Sequence, residues 1–186
     1  MGYVEIDQKT KKLKLLKSSM NYFKSYETIL PPILMSSGII IGIIANILQS
    51  YQFISLSLTM AAITFAFAGS AMEITYLLIL KRMEKVILNT NQSLALSIVI
   101  IAVLMMLYFI VIGMPLVHYY ESTILNKLYK SMEDRKKCIF ENPLLSLITF
   151  GYGLSIYQAC NGVNVIKIIN NEINNLSIFN AIIKYP

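Results

Sequence analysis

Four long apolar stretches, residues 30–50, 54–80, 94–117 and 143–166, decide what this chain can fold into. The hydrocarbon core of a bilayer is about 30 Å thick and takes about 20 helical residues to cross, which each stretch supplies. From Ile33 to Leu48 the only polar side chains are Ser36, Ser37 and Asn46, and from Ile98 to Val117 the only one is Tyr108. A soluble amphipathic helix would return polar residues every third or fourth position. Helices that are apolar all round face lipid or one another. The expected fold class is therefore all-α: a polytopic membrane protein with four transmembrane helices.

The segments between the stretches set an expected topology. Residues 1–29 form a basic tail carrying Lys9, Lys11, Lys12, Lys14, Lys17 and Lys24. In that tail Leu13, Leu16, Met20 and Phe23 fall at helical spacing, a pattern that suits an amphipathic helix on the membrane surface. Pro31 and Pro32 mark the entry to the first span, where first-turn amides lack partners anyway. Gln49-Ser50-Tyr51-Gln52 is a short uncharged turn, so the first two spans should be a hairpin. A basic loop over 81–93 follows, with Lys81, Arg82 and Lys85, and then an outer loop over 118–142 with the charge run Glu133-Asp134-Arg135-Lys136-Lys137. The last span gives way to an Asn-rich tail, 167–186. With both termini cytoplasmic, eleven Lys/Arg lie inside and five outside, the bias that sets orientation. The triplets Asn91-Gln92-Ser93 and Asn175-Leu176-Ser177 would then be inside and unglycosylated.

Several function classes find little support. The formal charge of +6 is concentrated beside the first span, where basic residues set topology and touch anionic lipid, so nucleic acid is not an expected partner. No metal or cofactor is expected, because HExxH, CxxC and P-loop motifs are absent. The single histidine, His118, is placed at the outer end of the third span and reads as an interfacial residue. No catalytic constellation can be assembled, so the chain is expected not to be an enzyme. The first 29 residues are too polar for a signal-peptide core, and Ile6 breaks a myristoylation motif. Cys138 in the outer loop and Cys160 in the last span are expected at different depths, which favours two unpaired thiols; a disulfide requires Cys160 to sit near the loop's side of the membrane.

Glu73 is the sharpest single residue. An ionisable group within a span costs about 2.5–3.5 kcal/mol at the bilayer centre, so it reads as a functional candidate with a structural role as the competing explanation. Its candidate partners are Asn46, Gln158, Asn161 or a thiol. Small residues recur at packing spacing: Gly38 and Gly42 in the first span, Gly69 and Ser70 in the second, Gly151, Gly153 and Gly162 in the fourth. In lipid such residues let helix backbones approach closely. Tyr157, Gln158, Asn161 and Asn164 are polar for a lipid-facing helix and should point into the bundle.

Phe67-Ala68-Gly69-Ser70-Ala71, then Lys81-Arg82 and Lys85, then Asn91-Gln92-Ser93 resemble a pattern of the membrane-spanning four-domains subfamily A, the relatives of the B-cell antigen. The resemblance covers about a quarter of the chain and departs from the family by lacking Asn-Gly in span one, Trp-Gly before span two and an outer-loop cysteine pair. It implies an oligomeric plasma-membrane component that modulates receptor signalling or trafficking. Tetraspanins and claudin-type proteins carry a Cys-Cys-Gly loop, or a Trp with paired cysteines, that this chain lacks. The expected function is a non-enzymatic interaction partner or regulatory subunit of a membrane complex, working with other membrane proteins or as a homo-oligomer. The alternatives are a small ion channel or transporter component using Glu73, and, from the Lys/Asn/Ile-rich usage, a microbial immunity protein against a pore-forming toxin.

Overall fold

The computed structural model describes residues 2–90, 93–108, 113–130, 137–149 and 151–184, and its regular elements are all helical. Helix α1 (Gly2–Lys24) leads through a 3₁₀ turn (Tyr26–Thr28) into α2 (Leu30–Ile47), which forms an antiparallel hairpin with α3 (Gln52–Leu88). Ser25 caps the 3₁₀ turn by accepting from the Glu27 amide. Pro31 and Pro32 fit the first turn of α2, where no helical hydrogen bond is lost. Ser55 donates to the Ala45 carbonyl at 2.9 Å and ties the arms together near the turn. Farther down, a Cβ added to Gly38 would lie 2.9 Å from the Ala62 carbonyl oxygen. One added to Gly69 would lie 2.8 Å from the Met35 amide nitrogen. Glycine at these two positions is what lets the backbones touch.

Among the described residues two helices, α2 and α3, are long and apolar enough to cross a membrane. The 18 residues of α2 rise about 27 Å, close to one hydrocarbon thickness. The 37 residues of α3 rise about 55 Å, so α3 outruns any bilayer that α2 fits. Its continuation packs with α1, α4 (Leu94–Tyr108) and α5 (Gly113–Tyr129) and is hydrogen-bonded to α7 (Tyr152–Lys184). Short α6 (Pro143–Ile148) precedes α7, separated from it at Gly151, whose φ of 90° favours glycine. Leu16 and Phe23 of α1, Tyr76, Leu80 and Met83 of α3, Ile124 and Leu128 of α5, and Val165 and Ile169 of α7 form one core.

This arrangement corrects several expected boundaries. The 81–93 loop is mostly helix: α3 runs to Leu88 and stops at Asn89, which takes a left-handed conformation with φ 52°. Residues 94–108 and 113–117 lie in two helices that pack against each other. Ser97 of α4 and Tyr120 of α5 line one pocket, so the two helices lie side by side. Gly113 and Pro115, near the expected end of the span, lie in α5. The expected outer loop is helical through Tyr129. The 143–166 stretch is divided between α6 and α7, and the expected tail continues α7 to Lys184. The basic N-terminal segment is the expected helix, but its apolar side is covered by protein: Leu16 is fully buried and Phe23 meets Tyr76 edge to face. Asn91, Gln92 and residues 133–136 of the charge run lie outside the described residues.

Candidate functional site

Three helices each present one inward stripe with a period of three to four residues. On α3 it runs Gly69, Ser70, Glu73, Tyr76, Leu77, Leu80; on α5, Val117, His118, Glu121, Ile124, Leu125, Leu128; on α7, Leu154, Tyr157, Gln158, Asn161, Val165, Ile168. Each stripe carries a polar group at the same height. Glu73, Glu121 and Gln158 are all 0% exposed and meet there.

The Gln158 amide nitrogen donates to Glu73 Oε1 at 2.9 Å and to Glu121 Oε2 at 3.1 Å. One amide thus serves two carboxylates. The Tyr76 hydroxyl donates to Glu121 Oε1 at 2.7 Å, while Glu73 Oε2 and Gln158 Oε1 have no hydrogen-bond partner. No cation touches either carboxylate among the described residues. Two anions in a dry interior repel each other and lack hydration, so such a pair retains a proton instead of ionising fully. Burial pushes the Glu121 carboxyl up to about 8, against the pull of the Tyr76 and Gln158 hydrogen bonds.

One turn before Glu121, His118 is fully buried and not interfacial, which corrects its expected place. Its ring lies 4.2 Å from that of Tyr157, and neither ring nitrogen has a hydrogen-bond partner. Burial lowers its pKa to about 4, so it is neutral at pH 7. Below the carboxylates, the Tyr129 hydroxyl donates to Asn161 Oδ1 at 2.6 Å, and the Asn161 amide donates to the Tyr157 carbonyl at 2.9 Å. Glu84, 1% exposed, is held differently: Lys81 and Lys127 both pair with it.

Cys138 and Cys160 are joined in a disulfide, which corrects the expectation of two free thiols. The chain reversal through α6 returns α7 alongside residue 138, bringing the two Cα atoms to 5.7 Å. Asn164 donates to Cys138 Sγ at 3.8 Å.

Of the partners foreseen for Glu73, Gln158 is the one in contact. Asn161 bonds elsewhere, Asn46 is exposed toward the hairpin turn, and the thiols are tied up. Glu121, Tyr76 and Tyr129 were not foreseen, although Glu121 sits on the apolar stripe 117/121/124/125/128, a helical signal inside a segment read as a loop. Among the small residues, Gly38 and Gly69 make the close helix contact. Gly42 has room for a methyl group, and Ser70 bonds back to the Ala66 carbonyl at 2.8 Å. Gly151 shapes the α6–α7 break, Gly153 packs against Thr149 and Phe140, and Gly162 faces the Phe23 carbonyl of α1. No group of three or more His, Cys, Asp or Glu able to hold a metal occurs among the described residues. Comparison with protein-family models, curated proteins and solved structures finds no match.

Proposed function

We propose that this chain is a non-enzymatic integral membrane subunit, anchored by the α2–α3 hairpin and acting through helix association with its own copies or with another membrane protein. The observation that carries this reading is the outer surface of the hairpin. Ile47 (75% exposed), Phe53 (85%) and Phe67 (72%) stand out with Ile43, Ile44, Leu56, Met60 and Ile63 on the same half. A soluble monomer rarely exposes a contiguous apolar surface of that extent. Between Lys24 and Lys81 there is no Lys or Arg, so a two-span hairpin puts all sixteen basic residues on one side, a stronger bias than four spans give. Both termini, and the bundle holding Glu73 and Glu121, are then cytoplasmic, with the plasma membrane as the proposed location. A receptor-signalling or trafficking complex is the proposed setting.

Alkaline carbonate treatment of native membranes tests the anchor: the protein is expected to stay in the pellet, and its release contradicts the reading. Association is read by oxidative cross-linking of Met60→Cys, Ile63→Cys and Phe67→Cys in a Cys138→Ser/Cys160→Ser background. Cross-links at one face are expected. Their absence at every position, together with a monomeric mass and no co-purifying membrane protein, contradicts it.

A second reading, a proton or ion pathway, is favoured by one specific observation: Glu73 Oε2 is buried without a partner beside a second carboxylate. Liposome flux that is present in the wild type and abolished by Glu73→Gln supports this reading over the first. Absence of flux removes it.

A further inference from the structure

The polar side of α1 and the lower part of α3 enclose a cleft of about 410 Å³ that the anchor does not explain. Lys11, Lys14, Leu15, Ser18, Ser19 and Tyr22 line it from α1, with Ile79 and Arg82 from α3. The volume falls within the range of about 300–1,000 Å³ typical of ligand sites. Its lining is segregated by chemistry. Three cations and three hydroxyls can donate to an anion with several oxygens, and Leu15 and Ile79 supply an apolar wall. Lys11 also pairs with Asp7 at 2.7 Å, whereas Lys14 and Arg82 make no ion pair among the described residues. Two unneutralised cations facing one cleft, with hydroxyls between them, match a phosphate, and Arg adds a planar fork for two of its oxygens.

Position narrows the ligand further. Tyr22 lies at the end of the cleft nearest the turn that leads into α2, so that end points toward the proposed bilayer. Lys11 and Arg82 lie at the far end. A molecule with its phosphate among the cations and its apolar part running past Leu15 and Ile79 is oriented as a lipid of the adjoining leaflet would be. We propose that this cleft binds the phosphate headgroup of an anionic phospholipid, with Lys14 and Arg82 as its principal cations and Ser18 and Ser19 as hydrogen-bond donors. The proposal rests on the membrane-anchored reading, and carbonate extraction tests that reading without involving the cleft.

The test uses the full-length protein in nanodiscs of zwitterionic lipid, titrated with dioctanoyl phosphatidic acid, dioctanoyl phosphatidylcholine or inorganic phosphate, with binding read by native mass spectrometry. Saturable binding of phosphatidic acid is expected, weakened about thirtyfold in Lys14→Ala/Arg82→Ala, the loss anticipated when two cations leave an anionic headgroup. Both residues are exposed, so the double variant should keep the wild-type helicity and melting temperature. Lys130→Ala/Lys167→Ala, which removes two exposed cations elsewhere, should bind like the wild type. Equal binding of phosphatidylcholine overturns the proposal, as does an equal loss in the Lys130/Lys167 variant. Inorganic phosphate binding as tightly as the lipid overturns the lipid assignment and makes the cleft a site for the free anion.

Discussion

The upper half of the α2–α3 hairpin and the bundle beneath it are built on opposite plans. The hairpin is apolar outside and held together by small residues, with Gly38 against Ala62 and Ala66 and Gly69 against Met35. The bundle has an apolar core interrupted by buried polar groups: Glu73, Glu84, His118, Glu121, Gln158, Asn161 and Asn164. One continuous helix, α3, belongs to both. Its first 21 residues, Gln52 to Met72, carry no charge, and Glu73 is the first ionisable group after them. Those residues rise about 31 Å, one hydrocarbon thickness, so the change of plan comes where a bilayer would end. The contrast teaches that apolar character alone does not count spans; the side of the helix that is covered, and by what, does.

The largest effect should come from Gln158→Leu, which removes the shared donor from two buried carboxylates. Leaving two buried carboxyl oxygens without a donor, at about 1–3 kcal/mol each, predicts a loss of about 2–6 kcal/mol, measured by denaturant melts in nanodiscs. Adding Glu121→Gln should recover part of it, because the new amide supplies a donor of its own.

A charge placed on each surface addresses the contrast itself. Ile63→Arg, at the middle of the uncharged part of α3, should cost about 2.5–3.5 kcal/mol of insertion free energy. Val163→Arg on the exposed side of α7 should stay within about 0.5 kcal/mol. Equal sensitivity in a membrane-insertion assay would erase the distinction between the two regions.

Reducing Cys138–Cys160, which closes a separation of 22 residues, should cost the bundle about 3 kcal/mol and leave the hairpin intact. Under the proposed orientation the bond faces a reducing compartment, so alkylation of intact cells should find open thiols that close on oxidation. Gly38→Ala should cost about 1–3 kcal/mol by forcing the hairpin apart, and Gly42→Ala, where a methyl group has ordinary clearance, much less.

A further predicted effect is a pH dependence confined to the bundle. Glu121 binds its proton more tightly folded than unfolded, so its contribution is complete below the usual Glu range near 4.5 and is lost as pH rises through about 8. Glu73, Tyr76 and Gln158 face it. His118 acts oppositely: its contribution is present above about 6.5 and lost as pH falls through about 4. Glu121→Gln should flatten the alkaline slope in thermal melts across pH 5–9 while leaving the acid limb unchanged.

Much of the hairpin was legible in the sequence, because an uninterrupted apolar run needs no partner to be recognised. Pro31, Pro32 and the uncharged turn placed α2 within a few residues. Glu73 stood out for the same reason, as the one charge in such a run, and Gln158 was among its foreseen partners. The bundle was harder to read. Tyr119, Tyr120 and the charged residues of 118–142 masked the stripe that carries Glu121, and the asparagines after Lys167 hid the buried Ile168 and Ile169 that continue α7. The α4–α5 packing and the disulfide depend on contacts between segments far apart in the chain, which local pattern does not encode.

Topology is the central claim, and residue 130 tests it most directly. Lys130→Cys and Ser50→Cys, each in the Cys138→Ser/Cys160→Ser background, are probed in intact cells with a membrane-impermeant maleimide; both positions are exposed. A two-span hairpin predicts labelling of residue 50 in intact cells and of residue 130 only after permeabilisation. Labelling of both residues in intact cells would contradict it and restore a chain that crosses the membrane four times.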